Sequence, residues 1–156
     1  MYSKERLQAL VREVLVTARS NLLRDGHLQP CGLLYSSDPL THIFPFNFEN
    51  FEKKRLLQDT LRKLITEVRA AAAVVILESW IKMARNRPLD LTRPVSEMPG
   101  RQEAIVVEAA SHLARTMIIQ VFVKSQSGLV FEIPFEPDHP LEWNSERLSG
   151  IWPDRT

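Results

Sequence analysis

Val74-Val75-Ile76-Leu77-Glu78-Ser79-Trp80-Ile81-Lys82-Met83 and, further on, Met98-Pro99-Gly100-Arg101-Gln102-Glu103-Ala104-Ile105-Val106-Val107-Glu108 decide how this chain is built. Both stretches are rich in β-branched residues, which fit a pleated, half-buried surface better than a helix. They predict strands over 73–83 and 103–111. Between them runs a loop holding Pro88, Pro94, Pro99, Gly100 and four arginines, Arg85, Arg87, Arg93 and Arg101. Charges interrupt both apolar runs: Glu78 in the first, Arg101 and Glu103 at the start of the second. If the two strands pair, these three side chains lie close together beside one sheet. Glu78, Arg101 and Glu103 are therefore the candidate catalytic set.

Outward from this pair, 115–125 and 129–135 also read as strands. They are separated by Ser125-Gln126-Ser127-Gly128, a tight-turn sequence. Met117-Ile118-Ile119-Gln120-Val121-Phe122-Val123 is almost wholly apolar, as in a central strand or one covered on both faces. Toward the N-terminus, Leu7, Leu10, Val11, Val14, Leu15, Ala18 and Leu22 recur at helical spacing and predict a helix over 4–24. Ser3 suits its N-cap and Asp25-Gly26 its end. Residues 28–36 and 41–47 read as a hairpin, with Pro30 and Pro45 favouring edge positions. A second helix over 51–69 shows the stripe Leu56, Leu57, Leu61, Leu64, Ile65 and Val68. The four alanines at 70–73 are ambiguous, since helix propensity and the β-branched run after them pull in opposite directions.

The predicted order is α-β-β-α-β-β-β-β. It describes an α+β, two-layer domain with two helices against a mostly antiparallel sheet. This order is similar to that of profilin-like and roadblock-like domains. One domain over 1–136 is expected. An irregular tail over 137–156 follows, where Trp143 and Trp152 pin it to the body.

The chain has 156 residues, 44% hydrophobic and 25% charged, which suits a single domain with a real core. A net charge of +1 creates no global field to recruit nucleic acid or an anionic membrane. Cys31 is the only cysteine, so no internal disulfide forms. With no signal-type leader and no long uncharged apolar run, a cytoplasmic setting is expected and no membrane partner.

Two segments carry a resemblance. Glu78-Ser79-Trp80, and Ser96-Glu97-Met98-Pro99-Gly100-Arg101-Gln102-Glu103, resemble a group of uncharacterised bacterial and phage proteins. In that group a strand ends in Glu-Ala-Trp, and a segment like Pro-Ser-Glu-His-Pro-Asp-Arg-Lys-Glu leads into another. Ser79, Met98, Gly100 and Gln102 depart from the pattern. The resemblance implies a shared fold and a shared site, and carries no activity. If that site used the His and the Asp, this chain has lost both.

Two close carboxylates beside an arginine push one pKa up, and so supply an acid and a base. The same three residues equally describe a structural ion pair holding the loop to the sheet. His27, His42, His112 and His139 lack metal-site spacing, and the glycines build no phosphate cradle. No metal site and no cofactor are read. Arg85, Arg87 and Arg93 are candidate contacts for phosphate or an acidic partner, with a solvated loop as the plainer account. Phe44 and Phe46, in a cluster with Phe48 and Phe51, serve either core packing or a sticky rim for a partner chain.

The leading expectation is a non-enzymatic accessory or interaction protein with a protein partner, or a homodimer formed through a sheet edge or the phenylalanines. One alternative is a small hydrolase or nuclease-like enzyme built on Glu78, Arg101 and Glu103. Another is a weak nucleic-acid binder through the 84–101 loop.

Overall fold

The protein was analysed as a computed structural model that describes residues 2–36, 40–45, 51–81 and 101–137, with the side chains of all of these but 40, 41, 44, 51–55 and 57. The predicted tail, the loop arginines Arg85, Arg87 and Arg93, and Phe46 lie outside the described residues.

Helix α1 (Lys4–Asp25) begins where the Ser3 hydroxyl accepts from the Arg6 N–H. It ends at Gly26, which takes a left-handed φ of 76° and donates to the Leu22 carbonyl. Strands β1 (Cys31–Tyr35) and β2 (Leu40–Pro45) form an antiparallel hairpin. Helix α2 (Phe51–Val68) follows, then β3 (Ala72–Ile81), β4 (Gln102–Ala110), β5 (Arg115–Ser125) and β6 (Gly128–Phe131). The alanine run divides sharply. Arg69 takes a left-handed φ of 53°, and the Ala70 N–H closes back onto the Ile65 carbonyl. The Ala71 N–H already reaches the Tyr35 carbonyl of β1. Pairing with β1 and β4 thus outweighs the helix propensity of Ala72 and Ala73.

The six strands form one antiparallel sheet in the order β2-β1-β3-β4-β5-β6. Its two faces separate by strand parity. On one face Val74, Ile76, Ile105, Val107, Ile118 and Phe122 pack with Leu7, Val11, Leu15 and Leu22 of α1. On the other Ala73, Val75, Leu77, Val106, Ile119 and Val121 pack with Leu61 and Ile65 of α2. The two helices therefore belong to different cores on opposite faces, and not to one shared layer. The cause is legible in β3, β4 and β5, whose runs are apolar on both parities and so need cover on both sides.

Beyond β6 the chain stays on β5. Phe131 sits opposite Phe122, yet Phe135 bridges to Ile119, so four residues span what three span on β5. This extra residue is a bulge. It turns Phe131 toward the α1 core and Phe135 toward the α2 core.

Candidate functional site

The β3–β4 register sets Trp80 opposite Glu103 and Glu78 opposite Ile105, so Glu78, Trp80 and Glu103 share the α1 face. The sheet brings the two carboxylates to neighbouring positions, and then each side chain finds a different partner. Glu78 Oε1 accepts from the Leu28 N–H at 2.5 Å, tying the segment after α1 to the sheet. Glu103 Oε2 lies 3.7 Å from Lys124 Nζ on β5. The Arg101 guanidinium stacks 4.8 Å above the Trp80 ring, a cation–π contact. Among the described residues no ion pair joins Arg101 to either glutamate.

The described histidines are dispersed, and His139 lies outside the described residues. His27 follows α1, with Nδ1 3.1 Å from the Asp25 carbonyl oxygen; His42 is on β2 and His112 in the turn after β4. Among the described residues no three His, Cys, Asp or Glu side chains cluster as metal ligands. Phe44 lies on β2 opposite Gly32.

A larger feature lies beside α1. The helix rests mainly on β4 and β5. Toward the β1–β2 hairpin it leaves a groove of about 540 Å³, within the range that binding sites occupy. The helix wall carries Leu10, Glu13, Val14 and Thr17, and the floor Leu33, Tyr35, Ile43 and Ile76. Pairing explains the floor: Leu33 lies opposite Ile43 and Val74, on the parity that faces α1. Leu28 forms one end, held by the bond to Glu78. Glu78 thus fixes one end of the groove.

Two titratable groups of the groove are shifted toward their neutral forms. Burial pushes the Tyr35 hydroxyl up to about 12, aided by the nearby Glu13 charge. Burial also pushes the Cys31 thiol up. Both stay protonated near neutral pH, so these two side chains present hydrogen-bond donors to the groove. Sequence reasoning missed Leu10, Tyr35 and Ile43 as site residues. The available signals were an apolar Leu10 at the flank of the helix stripe, and a hairpin strand, Leu40–Pro45, without a charged residue apart from His42.

Fold and site together define an α+β antiparallel-sheet domain with an apolar groove at one end of the sheet. Residues 1–130 match the family described as bacteriophage lambda protein ea47, and the chain belongs to that phage protein family. The matched range contains both segments that carry the resemblance noted above. No curated protein and no solved structure matches the chain.

Proposed function

We propose that the chain is a non-enzymatic phage accessory protein that works by docking a partner chain in the groove between α1 and the β1–β2 hairpin. One observation carries this reading: among the described residues, an apolar groove lies beside the α1 core. An exposed apolar surface costs solubility and is characteristic of a contact surface. Phe44 and Phe46 are proposed as a separate partner contact, because Phe44 alternates in register with the groove-facing Ile43. Arg85, Arg87 and Arg93 are proposed as a secondary contact for an acidic partner.

The enzyme alternative asks Glu78, Arg101 and Glu103 to exchange protons with a substrate. Glu78 is engaged by a backbone N–H and Arg101 by an indole ring, which speaks for positioning roles.

The test uses Nile red, a neutral apolar dye. Saturable binding with blue-shifted emission is expected for the wild type, and its loss in Leu10→Lys, which places a charge on the groove wall. Unchanged dye binding by a folded Leu10→Lys variant would remove the groove from the account.

A further inference from the structure

The groove beside α1 suits a helix better than a strand. An extended segment needs partners for its own N–H and C=O groups. The floor supplies none, because β1 is paired with β2 on one side and with β3 on the other. The outer edge of β2 is guarded as well. Its register with β1 steps past Thr41, a bulge, and Pro45 closes the strand. A helix closes its own backbone bonds and docks through side chains alone. Space agrees with this. Neighbouring strands lie about 4.8 Å apart, so the β1–β2 shelf is about as wide as one helix. A cavity of about 150 Å³ accepts one benzene-sized group. The groove of about 540 Å³ therefore has room for about three apolar side chains, the set a helix presents at i, i+4 and i+7.

The α1 wall adds charge. Glu13, Thr17, Asn21 and Asp25 follow at four-residue steps, so a polar row runs along the helix beside the apolar floor. Asp25 is held by Arg24 at 2.9 and 3.0 Å. Glu13 has no ion pair among the described residues, and no Lys or Arg stands among the described lining residues. Its charge is felt at the floor, where burial first and Glu13 second hold the Tyr35 hydroxyl protonated. Helix α1 also ends at the groove, beside His27 and Leu28, which brings the negative end of its dipole there. A cation on the occupant complements both.

Building on the groove reading, we propose that the occupant is an amphipathic helix of a partner protein, with its apolar stripe on Leu33, Ile43 and Ile76 and a Lys or Arg at the edge of that stripe facing Glu13. This helix lies beside α1 and completes the layer that α1 leaves unfinished over β1 and β2. It covers Ile43, which is 65% exposed without it.

The experiment titrates the full chain with labelled synthetic peptides, each an amphipathic helix with leucines at i, i+4 and i+7. One carries lysines at the edges of the stripe and one carries glutamates. A third is the lysine peptide with a proline at its centre. The lysine peptide is expected to bind saturably, to gain helicity on binding and to displace Nile red. The glutamate peptide is expected to bind about tenfold more weakly, and the proline peptide not measurably. Glu13→Lys, at an exposed position of α1, is expected to invert the order of the two charged peptides. Equal binding of those two peptides overturns the proposal. So does an order unchanged in Glu13→Lys, or a proline peptide that binds as tightly as its parent. Peptide binding that the dye does not contest also overturns it, because the helix then docks elsewhere. Nile red binding without peptide binding removes the helix and leaves the groove reading standing. Loss of both removes the groove reading itself.

Discussion

Helix α1 treats the two ends of the sheet differently. Over β3, β4 and β5 its Leu7, Val11 and Leu22 are fully buried against Ile105, Val107 and Phe122. Toward β1 and β2 the same helix turns Leu10, Glu13 and Thr17 to a groove that Leu33, Tyr35 and Ile43 floor without filling. Both regions are apolar and share one face of one sheet. The first is closed by large side chains from both partners. In the second the helix offers smaller and polar groups, and the sheet ends one strand later. Apolar character alone therefore does not distinguish closed core from open groove here; closure does.

The largest effect is expected at the closed end. Phe122→Ala removes a ring packed beside Phe131 and the α1 stripe. It is expected to cost about 3–5 kcal/mol in denaturant unfolding. A loss under about 1 kcal/mol would mean that this region is not closed. Next comes the wall between the two regions. Glu78→Ala leaves the Leu28 N–H without its acceptor and is expected to cost about 1–3 kcal/mol, with faster exchange of the Leu28 amide. Unchanged exchange would show that Glu78 does not hold this segment. At the open end, Leu10→Ala is expected to cost about 1 kcal/mol or less, because its side chain is only partly buried. A cost like that of Phe122→Ala would make the groove part of the core.

A pH series sharpens the contrast further. The Tyr35 hydroxyl ionises near 12 in the folded chain, against about 10 for an unfolded tyrosine. Between those values the folded state holds a proton that the unfolded state has lost. Its contribution to stability is complete below about pH 10 and is lost as pH rises toward 12. Tyr35→Phe should flatten that part of the alkaline stability curve, and an unaltered slope would dissociate Tyr35 from it.

Much of the fold was legible because local signals agreed. Ser3 and Gly26 bound α1 as their cap chemistry predicts, and the β-branched runs of β3, β4 and β5 became the strands expected of them. The apolar run Met117–Val123 was compatible with cover on both faces, yet the expected two-layer arrangement set both helices on one, because the face each helix takes depends on loop paths that periodicity does not encode. The site was harder to read. Pairing of the two strands sets Glu78 and Glu103 at neighbouring positions of the sheet. Their partners come from elsewhere in the chain: Leu28, fifty residues away, and Lys124 on the next strand. The groove was invisible for a related reason. It consists of what α1 fails to cover, and an omission between distant segments leaves no motif.

Cys31, the chain's only cysteine, lies in the groove and reports on it directly. The decisive measurement is its alkylation rate by N-ethylmaleimide with and without saturating Nile red, at a pH high enough to populate the thiolate. Slower alkylation in the presence of dye is the predicted result, placing the bound apolar group against β1. An unchanged rate alongside demonstrable dye binding would contradict the account, because the binding surface would then lie elsewhere on the molecule.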